Sequence, residues 1–174
     1  MSSIVISGDT SGTLTLAAPA VSGTNTATLP AATGTVMVSG NMPAFSAYQS
    51  TAQSMVTNTV TKVQLQTEEF DTANAFDNAT NYRFTPLVAG YYQINGRMAT
   101  AGNAEVLAFI YKNGTGYKVS SSAVSGSGAN VSSIVYLNGS TDYVELYGVS
   151  YGVTQNTNNN ISNTWFNGSM VRSA

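Results

Sequence analysis

Apolar and polar positions along the chain alternate in short runs, and the spacing of those runs changes near Pro43. Before it stand Ile4-Val5-Ile6, Thr13-Leu14-Thr15-Leu16, Thr26-Ala27-Thr28-Leu29 and Val36-Met37-Val38, separated by Gly8, Gly12, Pro19, Gly23, Pro30 and Gly34. The Thr-Leu-Thr-Leu alternation has period 2 and would bury one face of a strand. Each run is short and poor in large apolar groups, and isolated hairpins are marginal in water. This predicts an arm that orders by adding strands to another surface, in preference to a disordered leader. Its apolar contacts would come from Ile4, Val5, Ile6, Leu14, Leu16, Leu29, Val36 and Val38.

From residue 44 to 174 turn signals recur about every 8–12 residues, the mark of an all-β domain. Strands are predicted over 44–49, 62–66, 82–85, 91–100, 104–112, 117–123, 131–137, 143–150 and 164–172. Tyr143, Glu145, Tyr147 and Val149 alternate with Val144, Leu146 and Gly148, which predicts one wet and one dry face. Asn113-Gly114 and Asn138-Gly139 tolerate positive φ at hairpin turns. Asn156–Asn160 reads as an amide-rich loop, and no sustained helix is expected because β-branched residues dominate.

Composition narrows the function. The 174 residues hold six Lys+Arg, eight Asp+Glu, no His and no Cys. Without Cys there is no disulfide, thiolate nucleophile or thiolate metal site. Without His the commonest general base and metal ligand is missing. An enzyme is not expected, nor a catalytic residue, cofactor or metal. Net charge is −2 and charged residues are 8%, so the chain lacks a basic footprint for nucleic acid or anionic lipid. Up to residue 61 the only charged side chain is Asp9. So little charge suits a chain whose surface is occupied by partners. The opening Met1-Ser2-Ser3-Ile4-Val5-Ile6 has no basic n-region or long apolar run, so a secretory signal is not expected. No stretch approaches the ~18 apolar residues of a membrane span.

Glu68, Glu69, Asp71 and Asp77 form the one acidic group. Calcium ligation or glycoside hydrolysis are conceivable chemistries for such carboxylates. A solvated loop at the end of a sandwich is the preferred reading, since a carbohydrate cleft usually needs aromatic platforms and the chain has one Trp. Trp165 and Phe166 lie in the last strand, and alternation sends one of them into the core. Asn78-Ala79-Thr80, Asn113-Gly114-Thr115 and Asn138-Gly139-Ser140 fit the glycosylation pattern but read as turn chemistry. Gly126-Ser127-Gly128 reads as a connector.

Several segments, in order, resemble the C1q/TNF-like jelly-roll family. Phe70-Asp71 and Phe76-Asp77 match its aromatic-Asp element. Phe84-Thr85-Pro86 followed by Gly90-Tyr91-Tyr92 matches F-x-x-P then G-x-Y, with one residue fewer between Phe and Pro. Asn138-Gly139, Asp142, Val144 and Leu146 match the turn leading V-x-L, and Phe166-Asn167-Gly168 the final F-x-G strand. Phe84, Pro86, Gly90, Tyr92, Asp142 and Gly168 carry this fold motif. The resemblance covers residues 44–174 and implies an all-β jelly-roll sandwich that packs as a homotrimer. Tyr91, Tyr136, Tyr143, Tyr147, Trp165 and Phe166 are the residues assigned to trimer interface or core. The segment Gly12–Pro30, ending in Ala31-Ala32-Thr33-Gly34-Thr35-Val36, resembles a leader of tailed-bacteriophage virion proteins.

Together these resemblances imply residues 1–43 as an attachment arm and 44–174 as a C1q-like body. The expected function is capsid decoration, or cement: a homotrimer made in the host cytoplasm and placed on the virion capsid surface. Its partner would be the major capsid protein, with neither nucleic acid nor membrane involved. The alternative is a receptor-binding tip of a tail fibre or spike recognising a host glycan or protein. The immune roles of secreted C1q proteins do not transfer, because fold alone does not carry function.

Overall fold

The computed structural model describes residues 3–21, 23–28, 31, 33–34, 36–124 and 128–174. The chain divides into two compact units, Met1–Gly34 and Thr35–Ala174.

The first unit holds an antiparallel hairpin of β1 (Ser3–Ser7) and β2 (Thr13–Ala17). Its turn closes with Gly8 N–H donating to the Gly12 carbonyl at 2.9 Å. Gly12 sits at φ +77°, where a side chain would be strained. Ile4 lies opposite Leu16 and Ile6 opposite Leu14, so four aliphatic side chains share one face. All are exposed, as is every described side chain of this unit.

The second unit opens with Met37 packed against the core and a 3-10 turn at Ser39–Asn41. Its strands follow as β3 (Ala44–Tyr48), β4 (Ser54–Met55), β5 (Thr61–Lys62), β6 (Thr67–Asp71), β7 (Phe76–Asp77), β8 (Arg83–Phe84), β9 (Gly90–Met98), β10 (Glu105–Lys112), β11 (Thr115–Val119), β12 (Ala129–Leu137), β13 (Val144–Tyr151), β14 (Gln155–Asn156) and β15 (Trp165–Ser173). One sheet runs β12-β9-β15-β3-β6. The other runs β11-β10-β13-β8-β7, with β5 also on β13, and β14 pairs with β4. The pairings within them are antiparallel.

The core lies between the two sheets. Phe45 stacks on Phe84 at 4.3 Å and on Phe76 at 5.1 Å, and meets Phe166 edge-on at 5.3 Å. These rings tie β3, β7, β8 and β15 together. Each is buried because period-2 alternation aims it inward. Tyr92 is fully buried, and its hydroxyl donates to the Val88 carbonyl at 2.6 Å. That bond removes the penalty of burying a phenol. Burial pushes its pKa upward.

Three expectations need correction. Residues 63–66 do not continue a strand, although Val63 and Leu65 are buried; only Thr61–Lys62 pair, against Gly148 and Tyr147. Glu68, Glu69 and Asp71 lie on β6 and Asp77 on β7, where a solvated loop was expected. The acidic side chains hide a strand because edge strands tolerate charge. The expected wet face of β13 is largely covered: Glu145 is 2% exposed and Val149 is buried.

Candidate functional site

The five-stranded sheet turns one face to the core and the other outward. Strand register lays its side chains out in rows. Thr67, Tyr48, Trp165, Arg97 and Asn130 form the first. Phe70, Ser46, Asn167, Asn95 and Ser132 form the second, and Ala44, Ser169, Gln93 and Ile134 the third. Tyr91 and Tyr136 close the face at the far end, ring centroids 5.4 Å apart.

The middle rows carry no charge. Asn95 Nδ2 donates to Asn167 Oδ1 at 3.0 Å, and Ser132 Oγ to Asn95 Oδ1 at 2.8 Å. Gln93 Nε2 donates to Ser132 Oγ at 2.8 Å and to Asn95 Oδ1 at 3.0 Å. An amide and hydroxyl network bonded within itself can be covered by a partner without stranding polar groups. Aromatic and aliphatic side chains at both ends give such a cover something to bury, the composition of protein–protein interfaces.

Apart from Arg97 in the first row, charge lies at the margins. Arg172 stands 6.0 Å from the Tyr91 ring, and Lys112 lies 5.7 Å from the Tyr136 ring while donating to the Tyr136 carbonyl. At the opposite edge β6 brings Glu68, Glu69 and Asp71, with Glu69 accepting from Ser46 Oγ at 2.7 Å. Burial, then the neighbouring Asp71 charge, raises the Glu68 pKa. Asp71 accepts N–H bonds from Ala73, Ala75 and Phe76, and Asp77 from Ala79, Thr80 and Asn81. These aspartates fasten turns. Among the described residues no three carboxylates gather where they could hold a metal ion.

The residues assigned to trimer interface or core separate into three places. Tyr91, Tyr136 and Trp165 lie on the face just described, with Tyr91 and Tyr136 exposed and Trp165 half-buried. Phe166 is in the core. Tyr147 belongs to the six-stranded sheet, where it stacks on Tyr111 at 3.9 Å, and Tyr143 immediately precedes β13, with Arg83 4.3 Å over its ring. Phe84, Pro86, Gly90, Tyr92 and Gly168 are buried. A Cβ on Gly90 would stand 2.5 Å from the Arg172 carbonyl oxygen, so the strands leave room only for glycine. Asp142 joins two turns by accepting from Asn113 Nδ2 at 2.8 Å and Asn138 N–H at 3.2 Å, and it pairs with Lys112.

Of the arm residues, Ile4, Val5, Ile6, Leu14 and Leu16 are exposed on the hairpin, and Leu29 lies outside the described residues. Val36 and Val38 are exposed too, but they flank Met37 in the second unit. Ile134, Gln93 and Asn95 went unnoticed in the sequence, and Asn167 was noted only within the F-x-G match. For Gln93 and Asn95 the signal was there: both alternate with the core residues Tyr92 and Ile94 and are uncharged amides.

No family model matches the sequence, and no curated protein does. The solved structures supply the comparison. The globular domain of zebrafish complement 1qA protein aligns with a TM-score of 0.58 at 16% identity, covering 76% of this chain and 98% of its own. Eiger TNF from S. frugiperda aligns at 0.60 and 6% identity, covering 77% and 95%. Murine APRIL aligns at 0.60 and 8%, covering 75% and 99%. The fold is therefore the C1q/TNF-like jelly roll.

Proposed function

We propose that this chain is a non-enzymatic virion structural protein: a homotrimeric jelly roll that decorates a phage-like capsid and is held there by its N-terminal hairpin. The observation that carries the reading is the hairpin's one-sided aliphatic face, Ile4, Leu16, Ile6 and Leu14, each more than half exposed in a unit whose described residues form no core. Such a face is stable in water only when a partner covers it. The major capsid protein is the proposed partner, since residues 12–36 resemble a leader of tailed-phage virion proteins. A segment whose only charge is Asp9 docks with little desolvation cost. Three arms on one trimer raise one another's effective concentration, so weak strand-addition contacts sum to firm retention. Neither nucleic acid nor membrane enters this mechanism.

The trimer would form through the outer face of the five-stranded sheet, whose second and third rows carry no charge. The test is removal of residues 1–34, followed by mixing with capsids lacking this chain. The shortened protein is expected to remain a soluble trimer and to lose capsid binding. Undiminished occupancy of the capsid by the shortened chain sinks the clamping role. The second reading, a fibre or spike tip, draws on the aromatic surface of Tyr111, Tyr147 and Tyr143 beside Arg83. Loss of binding to host cells, with capsid occupancy unaffected, would favour it.

A further inference from the structure

Two residues just ahead of β7 and β8 have left-handed backbones, Asn74 at φ 50° and Tyr82 at φ 50°. Asparagine adopts that conformation readily, whereas a bulky tyrosine is strained there. Such strain persists where the surroundings hold it, and it gathers at ligand-binding positions. The surroundings here are firm. Asp77 accepts N–H bonds from Ala79, Thr80 and Asn81 and a fourth bond from Asn81 Nδ2 at 2.7 Å, and Lys62 holds the Asn81 carbonyl. The residue that follows Tyr82 is Arg83. Register places it between Asp77 and Glu145, yet it forms an ion pair with neither. Asp77 is taken up by its turn, and Glu145 by Lys62. The guanidinium lies instead over the Tyr143 ring at 4.3 Å, and its N–H groups have no hydrogen-bond partner among the described residues.

Arg83 opens on a hollow of about 410 Å³ lined also by Asn74, Asp77, Asn81, Thr85 and Leu87. We propose that this hollow binds a sugar acid, a hexuronate, with its carboxylate on Arg83. A stacked, planar guanidinium presents a fork that matches a carboxylate through two parallel bonds. Asp77 lies beside it, so the site suits one negative charge and disfavours the two of a phosphate. The Asn74 amide, the Asn81 side-chain oxygen and the Thr85 hydroxyl have no partner among the described residues, which leaves donors and acceptors for ring hydroxyls. Leu87, 76% exposed, supplies an apolar wall for the C–H face of the ring. A volume near the lower end of small-ligand sites fits a single sugar unit. The site lies wholly in the second unit and uses no hairpin residue, so sugar binding and capsid attachment are tested separately.

Titration of the full chain with glucuronate and with glucose, followed through amide NMR shifts, tests this. The two sugars differ only in bearing a carboxylate or a hydroxymethyl group on the ring. Glucuronate should bind with shifts centred on Asn74, Asn81, Arg83 and Thr85. Glucose should bind at least about tenfold more weakly, the effect of losing a charge-assisted pair. Arg83→Gln should weaken glucuronate by a similar factor. Arg83→Lys keeps the charge but not the fork, and should weaken it too. Lys118→Gln removes an equal charge from β11 and should change nothing. Should Arg83→Gln fail to fold, Arg83→Lys and the glucose comparison decide the matter. Acetate binding as tightly as glucuronate overturns the sugar and leaves a bare carboxylate site. Glucose binding equally well, undiminished binding by either Arg83 variant, equal loss in Lys118→Gln, or no saturation by roughly 50 mM glucuronate overturns the site itself.

Discussion

Lys62 Nζ meets Glu145 Oε1 at 2.5 Å in an ion pair that is buried at one end and open at the other. The Glu145 side chain is 3% exposed and the Lys62 side chain 30%. Lys62 also donates to the Asn81 carbonyl at 3.1 Å, so its ammonium joins β5 to the turn before β8. The asymmetry predicts unequal losses. Lys62→Met strands a carboxylate that has no route to water and should cost about 3 kcal/mol. Glu145→Leu leaves an ammonium able to swing outward and should cost about 1 kcal/mol. The double variant should recover most of the larger loss, because a buried pair is often replaceable by well-packed apolar groups. Urea unfolding of the three variants checks this. Equal losses for the two single variants would contradict it.

That pair also explains where the sequence was legible. Period-2 alternation located most long strands, and β9, β10, β12, β13 and β15 lie within a few residues of their expected spans. The inward Phe45, Phe84 and Phe166 follow from the same rule. Alternation cannot say which second face becomes covered. Glu145 and Tyr147 read as solvated because the side chains that cover them, Lys62 and Tyr111, come from distant strands. The β6 strand was hidden for a related reason. Thr67-Glu68-Glu69-Phe70-Asp71 has no apolar alternation, since it pairs with β3 through a bulge at Ser46/Ala47 and lies at the sheet edge. Rows across five strands depend on register, and register is a tertiary property. The outer face of the five-stranded sheet was therefore visible only as scattered tyrosines.

Acid should weaken the fold through its turn aspartates. The Asp77 carboxyl is lowered from 3.8 to about 2, foremost by the Thr80 N–H and then by Ala79 and Asn81, against the opposing pull of burial. Asp142 is lowered too, chiefly by the Asn113 amide, with Lys112 assisting and burial opposing. A carboxylate with a depressed folded pKa contributes stability that is fully present above its unfolded value. The contribution is lost as pH falls through the folded value. For Asp77 the window therefore runs from about pH 4 down to about pH 2. Thermal melting followed across that window should fall more steeply for the parent than for Asp77→Asn, with the two curves converging at the acid end. Parallel curves would remove Asp77 from the account.

The boundary between the hairpin unit and the body can be located by stability. Every residue of the hydrophobic core comes from the second unit, and the hairpin contributes none. A chain starting at residue 35 should therefore melt within experimental error of the full chain. A chain starting at residue 44 should not. It lacks Met37, which packs against the core, and the Asn41 side chain that accepts from Val38 N–H at 2.8 Å and donates to the Val36 carbonyl at 3.3 Å. Losing a half-buried Met side chain is worth about 1 kcal/mol. In a body of this size that lowers Tm by roughly 2–4 °C. Calorimetry on both truncations distinguishes an arm that ends at Gly34 from one that runs to Pro43. If both melt together, residues 36–42 are part of the arm and the Met37 contact adds nothing to the body.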